Sequence, residues 1–302
     1  MPWCSMSYKA GFIALLGRPN VGKSTLLNRL VGRKVSITSS RPQTTRHRLL
    51  GIRTDEQSQM IFVDTPGVHQ AKKRYINRVL NKTARSALEG VDIILLMIGS
   101  AGWTEEDKLA LELAAQHKTP VMLLINKVDR LKDKSRLLPL LEVSAGMHRF
   151  DEIIPLSALQ GENVDALSER LLHYLPESPQ LFPAEQTTDR SDRFYISEVI
   201  REKLFRSLHH ELPYALAVEV KQLAFEDGLV KADAIVWVEK QSQKGIIIGR
   251  EGSNLKAVGS AARKDLEKYF STKVFLQLWV KVRENWSDNA QMLRTVGYIE
   301  EE

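Results

Sequence analysis

Short apolar runs alternate with amphipathic stretches through the first 175 residues. The runs at residues 12–16, 60–63, 91–98, 121–125 and 153–156 predict β-strands. The stretches at residues 24–30, 74–89, 104–116 and 164–175 carry apolar side chains at helical spacing. Near-continuous apolar strands separated by helices are typical of a parallel sheet covered on both faces. We therefore expect a doubly wound α/β domain with a mainly parallel sheet.

The pattern changes after residue 175. Residues 176–192 contain three prolines among polar residues and predict a linker, because proline removes backbone donors. The spacing then predicts an amphipathic helix at 194–209, period-two strands at 215–221 and 232–239, a helix at 253–270 and a strand at 273–282. The sequence thus predicts an α/β domain at 1–175, a linker at 176–192 and an α+β domain at 193–302.

Composition narrows the class of protein. Of 302 residues, 43% are hydrophobic and 26% charged, a globular balance that excludes a disordered chain. No apolar run approaches the roughly 20 residues that span a bilayer. Cys4 is the only cysteine, which excludes an internal disulfide, argues against thiolate chemistry and favours a reducing, cytoplasmic setting.

Two motifs predict a phosphate and magnesium site. Residues 17–24, GRPNVGKS, match G-x-x-x-x-G-K-[ST] between a predicted strand and a predicted helix, where backbone N–H groups converge on phosphate. We expect Lys23 to reach the terminal phosphates and Ser24 to offer its hydroxyl to Mg²⁺. In the DTPG motif that follows the next strand, we expect Asp64 to hold Mg²⁺ through water and the Gly67 N–H to sense a γ-phosphate.

Two further motifs predict guanine selection. Asn126-Lys127-Val128-Asp129 follows a predicted strand, and Asp129 would accept both guanine donors, N1–H and N2–H. With adenine that buried carboxylate would stay unsatisfied, at a cost of about 1–3 kcal/mol or more. Asn126 would tie the loops together and the Lys127 stem would cover the base. After the next strand comes Ser157-Ala158, where the Ala158 N–H would donate to guanine O6.

The four motifs end four apolar runs, and ligands of open α/β sheets bind at the carboxyl ends of strands. The set resembles the translation-factor-like class of P-loop GTPases. The predicted nucleotide-binding residues are Gly17, Arg18, Pro19, Asn20, Val21, Gly22, Lys23, Ser24, Thr25, Asp64, Thr65, Pro66, Gly67, Val68, Asn126, Lys127, Val128, Asp129, Ser157 and Ala158.

The resemblance also implies a threonine, between the first two motifs, that closes on Mg²⁺ in the GTP state. Thr45 is favoured and Thr44 stays open. Val68 stands where Ras-like enzymes carry the glutamine that orients water, so we expect slow intrinsic hydrolysis. Asn20 resembles the asparagine with which some GTPases recruit potassium, whereas His69 is a weaker catalytic candidate. The predicted catalytic residues are Lys23, Thr45, Asp64, Gly67 and Asn20.

The net charge of +6 is unevenly distributed. Residues 1–175 carry +8, and between residues 32 and 54 there are six basic side chains and no acid, which predicts a basic surface beside the switch. Its basic residues are Arg33, Lys34, Arg41, Arg46, Arg48 and Arg53. Residues 176–302 carry −2, yet residues 231–283 carry +6 between acidic flanks. The positive charge is therefore concentrated around the switch and in the middle of the second domain.

An I-G-x-x-G sequence predicts the chemistry of the second domain. Ile248-Gly249-Arg250-Glu251-Gly252 follows an isoleucine run and precedes an amphipathic helix. The arrangement resembles KH domains, in which such a loop clamps about four single-stranded nucleotides. Glu251 departs from the more basic loops common there and should weaken phosphate attraction. The predicted RNA-binding residues are Ile248, Gly249, Arg250, Gly252, Lys256 and Lys281.

A GTPase domain followed by a type II KH domain resembles the bacterial Era GTPases over essentially the whole chain. GRPNVGKSTLLN, QTTRHR, DTPG, NKVD, SEVIREKL, ELPY, the GxxG and LWVKV carry the resemblance. It implies GTP/GDP and Mg²⁺ as ligands, and binding of 16S rRNA near its 3′ end during 30S subunit assembly, whereas K⁺ is expected from Asn20. It also implies a cytoplasmic monomer with loose peripheral membrane association. Two alternatives are a static RNA-binding scaffold with structural GTP and a GTPase subunit of a tRNA-modifying complex.

Overall fold

The computed structural model describes residues 8–39, 44–67, 82–208 and 215–296. The chain forms two compact units that divide after Asp189. Among the described residues, no helix is both long and apolar enough to cross a membrane.

The first unit is built on a six-stranded sheet in the order β2-β3-β1-β4-β5-β6. β2 is antiparallel to β3, and the other neighbours are parallel. Because β1 lies between β3 and β4, the strand order reverses at β1, which is where ligands bind in open sheets. The strands are β1 Lys9–Leu16, β2 Leu49–Thr54, β3 Ser58–Asp64, β4 Ile93–Gly99, β5 Val121–Asn126 and β6 Glu152–Leu156.

Both faces of this sheet are covered by helices. These are α1 Lys23–Val31, α2 Glu105–Ala114, α3 Leu137–Met147 and α4 Val164–Tyr174. On one face, Ile13 and Leu15 pack with apolar residues of α1 and α4. On the other, Ala14 and Leu16 pack with residues of α2 and α3. Consecutive residues of one strand thus enter two cores, which explains why the strands are continuously apolar and confirms the doubly wound fold.

Residues 177–189 pack along the edge of the first unit. Thr188 forms a bridge with Gly51 of β2, and the Ile52 N–H donates to the Thr187 carbonyl at 2.9 Å. The Gln59 amide accepts from the N–H groups of residues 181 and 182 at 2.8 and 2.9 Å. Although proline and polar residues predict a linker here, most of this segment is anchored to the α/β unit.

The second unit is a three-stranded sheet with helices packed on one face. β7 is antiparallel to β8, and β8 is parallel to β9. Alternate strand residues such as Val236 and Val280 pack against Leu204 and Val258 of two long helices. The elements are α5 Asp192–Ser207, β7 Leu216–Glu226, β8 Leu229–Val238, α6 Gln241–Ile248, α7 Ser253–Phe270, β9 Lys273–Val282 and α8 Ala290–Thr295.

Several elements were not predicted from the sequence. β2 lies in the stretch interpreted as a switch loop. α6 lies in the stretch that the sequence predicted to be part of the glycine loop. α3 contains Pro139, which argues against a helix, yet Pro139 falls in the first turn, where its missing N–H removes no helical hydrogen bond. Of the predicted helix at 74–89, residues 82–86 are helical, and residues 74–81 lie outside the described residues.

Candidate nucleotide and RNA sites

The phosphate-binding loop follows β1 and ends at the N-terminus of α1. Gly22 caps this helix with φ 117° and ψ 16°, and no side chain caps the first turn. A Cβ at Gly22 would lie 2.2 Å from Nδ2 of Asn126, so only glycine fits. Since the first turn also lacks an acidic residue, its N–H groups and partial positive charge can face a phosphate.

Lys23 points back into the loop. Its Nζ donates to the Gly17 carbonyl at 2.8 Å and to the Arg18 carbonyl at 3.0 Å. Burial lowers the pKa of Lys23 to about 8, while the nearby Asp64 carboxylate opposes that shift. The ammonium therefore lies inside the loop, where an anionic ligand would stabilise its charge.

Three oxygen-bearing side chains meet beside this lysine. Ser24 Oγ lies 2.8 Å from Thr45 Oγ1 and donates to Asp64 Oδ2 at 2.9 Å. Of the two adjacent threonines, Thr45 is the one whose hydroxyl joins Ser24. Burial raises the pKa of Asp64, and its Oδ1 is buried without a hydrogen bond from the described residues. Hydroxyl and carboxylate oxygens with one unused acceptor fit Mg²⁺.

Other metal sites are not evident in the described ranges. They contain no cluster of three or more His, Cys, Asp and Glu side chains able to hold a metal ion. The arrangement of Ser24, Thr45 and Asp64 is consistent with this, because it supplies a single carboxylate and relies on hydroxyls and, for Mg²⁺, on water and phosphate oxygens.

Ser36 is a member of this cluster that sequence reasoning missed. Its buried hydroxyl donates to Asp64 Oδ2 at 3.0 Å. Asn28 of α1 holds the backbone there, since its Oδ1 accepts the N–H groups of Val35 and Ser36 at 2.9 Å and its Nδ2 donates to the Ser36 carbonyl at 2.7 Å. The polar Asn28 directly after the apolar pair Leu26-Leu27 was the available signal.

The side chain of Arg18 bonds to α2. Its Nε donates to Asp107 Oδ2 at 3.2 Å, and the same oxygen accepts the N–H of Thr104 at the start of α2. Asp107 is fully buried. The predicted nucleotide contact at Arg18 can therefore come from its backbone, whereas its side chain fixes the loop to α2.

Asn126 joins three loops. Its Nδ2 donates to the Val21 carbonyl at 2.8 Å, and its Oδ1 accepts the Ala158 N–H at 2.9 Å. Lys127 donates to the Asn20 carbonyl, and burial lowers the pKa of Lys127. These contacts bring the NKVD motif, the Ser-Ala motif and the phosphate-binding loop together, as expected from the sequence.

Two residues predicted to contact the base, Asp129 and Ala158, differ in exposure or hydrogen bonding from the sequence prediction. Asp129 is exposed rather than buried, and one oxygen already accepts from Ser157 Oγ at 2.5 Å. Discrimination between guanine and adenine requires a buried Asp129 carboxylate, so the bound base itself would have to cover Asp129. The Ala158 N–H donates to Asn126, so guanine O6 would have to share or replace that bond. Arg29 of α1, which was not predicted, holds the Ala158 carbonyl at 2.8 Å.

Other predicted contacts rest on the backbone or lie elsewhere. Val21 and Val128 are core residues, and Thr65 Oγ1 donates to the Leu15 carbonyl at 2.8 Å. A Cβ at Gly67 would lie 2.5 Å from the Pro19 nitrogen, so the DTPG loop touches the phosphate-binding loop. Of the remaining predictions, Pro66 belongs to the same DTPG loop, Thr25 lies in α1, and Arg41, Val68 and His69 fall outside the described residues.

The predicted basic surface is smaller than the count of charges suggests. Arg46 is only 2% exposed, so its inclusion was wrong. Arg53 is engaged by Asp55 at 3.0 Å and by Ser168 at 3.2 Å. Arg33 and Arg48 do lie exposed, whereas Lys34 is half-buried.

The GxxG sequence forms a tight connection between α6 and α7. Gly249 and Gly252 have φ of 73° and 78°, and Gly252 caps α7 without a side-chain hydrogen bond or an acidic residue in the first turn. Asn254 Nδ2 donates to the Ile247 carbonyl at 3.1 Å across the loop. Of the predicted residues, Ile248 ends α6, Arg250 lies in the loop and Lys256 lies in the first turn of α7.

Lys281 is not brought to that loop. It pairs with Trp237 in the β8–β9 register, while its neighbours Val280 and Val282 pack into the helix-covered core. Because side chains alternate along a strand, Lys281 lies on the opposite, open face.

Comparison with known proteins supports this two-part description. The family model described as 50S ribosome-binding GTPase matches residues 12–127, and the KH domain model matches residues 211–287. The chain is similar to GTPase Era of Coxiella burnetii, with 51% identity over 96% of this chain and 98% of that protein. GTPase Era of Xylella fastidiosa is 51% identical over 97% and 99% of the two chains.

Two solved structures match both units. One is Era in complex with MgGDPNP and nucleotides 1506–1542 of 16S ribosomal RNA, at a TM-score of 0.93 and 37% identity. The other is a variant of Aquifex aeolicus Era bound to GDP·AlF4⁻, at a TM-score of 0.93 and 38% identity. Each covers 96% of this chain and 99% of the other.

Proposed function

Since the chain belongs to the Era family of GTPases, we propose that its GTP hydrolysis drives a switch that controls binding of the 3′ end of 16S rRNA. The observation that carries the proposal is the 2.8 Å contact between Thr45 Oγ1 and Ser24 Oγ. It ties the segment between α1 and β2 to the phosphate-binding loop. A γ-phosphate at that point can therefore change the position of the segment.

Each residue of the nucleotide site has a proposed role. Ser24, Thr45 and Asp64 would hold Mg²⁺, which when bound neutralises charge on the β- and γ-phosphates. Lys23 leaves the carbonyls of Gly17 and Arg18 to bind phosphate oxygens. The N–H groups at the start of α1 bind the same phosphates, and the Gly67 N–H reports on the γ-phosphate.

Asp129 and Asn126 select guanine in this proposal. Asp129 Oδ2 accepts from the base while Oδ1 stays with Ser157. Asn126 keeps the loop that carries Asp129 attached to the phosphate-binding loop. Preference for GTP over ATP, measured by competition binding, should fall when Asp129 is replaced by alanine.

Hydrolysis without an orienting glutamine needs another source of charge. We propose that Asn20, held in a left-handed conformation with φ 59°, helps to bind K⁺ beside the phosphates. Turnover measured in KCl and in NaCl tests this. Faster turnover in KCl supports the role, and equal rates contradict it.

RNA binding is assigned to the GxxG loop. The uncapped start of α7 with Arg250 and Lys256 offers N–H groups and positive charge to an RNA backbone. The related Era structure holds nucleotides 1506–1542 of 16S rRNA, which supports this RNA as the partner. We extend the proposal to 30S subunit assembly by a cytoplasmic monomer with weak peripheral membrane association.

One experiment separates a switch from a static scaffold. RNA affinity is measured for the protein saturated with a non-hydrolysable GTP analogue and with GDP. A switch requires different affinities in the two states, whereas a scaffold with structural GTP gives equal ones. Binding of tRNA in preference to the 16S segment would instead favour a tRNA-modifying complex.

A further inference from the structure

The open face of the second sheet carries exposed aromatic side chains. Phe275 is 49% exposed and Trp279 is 43% exposed, both on β9. Trp237 of β8 lies half-buried beside them on the same face. Exposed aromatic rings clustered on one face are uncommon and mark interaction sites. We call this surface the aromatic face and define it by Phe275, Trp279, Trp237, Lys273 and Lys281.

The strand geometry places these side chains in a row. Residues two apart in a strand share a face, so Lys273, Phe275, Trp279 and Lys281 point to the same side, with Phe275 and Trp279 about 13 Å apart. In the parallel register Phe275 lies beside Lys231, and Trp279 lies beside Ile235. Ile235 is only 6% exposed although it belongs to the open face, which shows that its neighbours cover it.

The electrostatics of the aromatic face favour an anionic partner. The outward positions of β9 carry two lysines and no acid. On the adjoining strands, Glu219 accepts from Trp237 Nε1 at 2.9 Å and from Lys221 at 2.6 Å, and Glu226 pairs with Lys231 at 2.6 Å. Asp233 of β8, which lies beside Gln277 in the register, is also on this face and reduces its positive charge without cancelling that of Lys273 and Lys281. Aromatic rings between cationic side chains are the recurring arrangement for stacking unpaired bases along a backbone.

We infer that the aromatic face binds a second stretch of single-stranded RNA, with bases stacked on Phe275 and Trp279 and phosphates near Lys273 and Lys281. The inference rests on the proposed RNA-binding function and extends it. A GxxG loop accounts for about four nucleotides, whereas the related Era structure holds the far longer segment 1506–1542. A segment of this length leaves many nucleotides that the GxxG loop does not account for, and Lys281 lies on the face that we infer binds some of them.

The test compares two RNA probes on the full-length protein. One is the 16S segment 1506–1542, and the other is a single strand of about five nucleotides from its 3′ end, enough for the GxxG loop alone. Trp279→Ala and Phe275→Ala should each weaken binding of the long RNA about fivefold or more and leave the short RNA unaffected. Phe225→Ala is the matched control, because Phe225 is an exposed aromatic ring of the same sheet that contacts Phe270 instead.

A second pair of variants distinguishes base stacking from apolar docking of a protein. Trp279→Tyr keeps an aromatic ring and should keep most of the affinity for the long RNA. Trp279→Leu keeps an apolar side chain and should lose as much affinity as Trp279→Ala. The melting temperature of each variant shows whether it is folded. Photocrosslinking of thiouridine-substituted long RNA should label β9 peptides in the unaltered protein. This measurement does not depend on whether the variants fold.

The outcomes are distinct. Unchanged affinity of Trp279→Ala and Phe275→Ala for the long RNA, or full affinity of Trp279→Leu, overturns the inference and leaves the proposed function intact. Absence of crosslinks on β9 overturns it in the same way. An unaltered protein that binds neither RNA overturns the proposed function and the inference together.

Discussion

The phosphate-binding loop and the GxxG loop both lead into a helix N-terminus, but more side chains hold the first loop in place than the second. Each ends in a glycine that caps a helix without a side-chain hydrogen bond, and neither helix has an acidic residue in its first turn. The first loop is held by Asn126, Lys127 and Lys23, and Arg18 bonds to α2. The second loop is held by the side chain of Asn254, which donates across it to the Ile247 carbonyl.

The glycines of the two loops are needed for different reasons. A Cβ at Gly22 would meet Asn126 at 2.2 Å, whereas a Cβ at Gly252 would meet no atom within 4 Å. Gly22 is therefore required by close packing as well as by its positive φ, whereas Gly252 is required by its positive φ alone. The phosphate-binding loop, enclosed by other elements, can bind a small ligand of fixed shape. The open GxxG loop can contact the backbone of a nucleic acid that extends beyond it on both sides.

The largest effect is expected where packing is closest. Gly22→Ala displaces Asn126 and with it the contacts to Val21 and Ala158, so GTP affinity should fall about 100-fold or more. The matched control is Gly32→Ala, which has φ 79° but no atom within 4 Å. It should cost about 1–2 kcal/mol of stability and leave GTP affinity unchanged. Nucleotide titration of both variants checks this, and similar GTP affinities would contradict the packing argument.

A second substitution tests the division of labour between the loops. Gly249→Asp adds a negative charge and brings a Cβ to 2.9 Å from that of Asn254, so RNA binding should be lost while GTP affinity is retained. Gly228→Asp is the control, at a turn with φ 70° and open space. Filter binding of RNA and nucleotide titration are compared. Loss of both affinities in Gly249→Asp would refute separate sites.

Ser36 offers an intermediate effect within the enclosed site. Ser36→Ala removes a hydroxyl that orients Asp64, so the Mg²⁺ concentration for half-maximal GTP hydrolysis should rise about three- to tenfold. Ser86→Ala, which removes an exposed hydroxyl, is the control. A Mg²⁺ titration of hydrolysis checks this. An unchanged Mg²⁺ requirement would show that Ser24 and Thr45 suffice.

The smallest effect is expected at the open loop. Asn254→Ala removes the amide that donates across the GxxG loop to the carbonyls of Ile247 at 3.1 Å and Ile246 at 3.4 Å, so the second unit should lose about 1 kcal/mol of stability and RNA affinity should fall only a few-fold. Ser260→Ala is the control on the exposed side of the same helix. Thermal melts and RNA titrations measure both. A loss of RNA affinity as large as that of Gly249→Asp would mean that the loop is as tightly specified as the phosphate-binding loop.

The motifs were predictable because their chemistry fixes residue type and spacing within a few positions. The partners that hold them were not, because they come from distant parts of the chain. Ser36 reaches Asp64 across 28 residues and Arg18 reaches Asp107 across 89. The sequence favoured Thr45 but left Thr44 open, since only the register of the loop decides which hydroxyl meets Ser24.

For two residues, the number of basic side chains in a stretch of sequence predicted the wrong location. Arg46 was counted as surface because basic residues usually are, yet it is buried in the first unit. Lys281 was predicted to bind RNA together with the GxxG loop, within the stretch of residues 231–283 that carries a charge of +6. Strand alternation in KVFLQLWVKV already groups Lys281 with Trp279 and Phe275 and apart from Val280, so this signal was present but outweighed by the charge count.

The segment that follows α4 also protects an exposed edge. β2 is the outermost strand of the six-stranded sheet, and the outer N–H groups of Leu50 and Ile52 are bonded to Asp189 and Thr187. Unpaired edge strands recruit other strands and lead to aggregation. A GTPase unit ended at Leu175 would leave that edge open and uncover Phe12, whose ring contacts Phe182. One ended at Asp189 keeps the edge paired and should stay in solution at concentrations where the shorter unit precipitates.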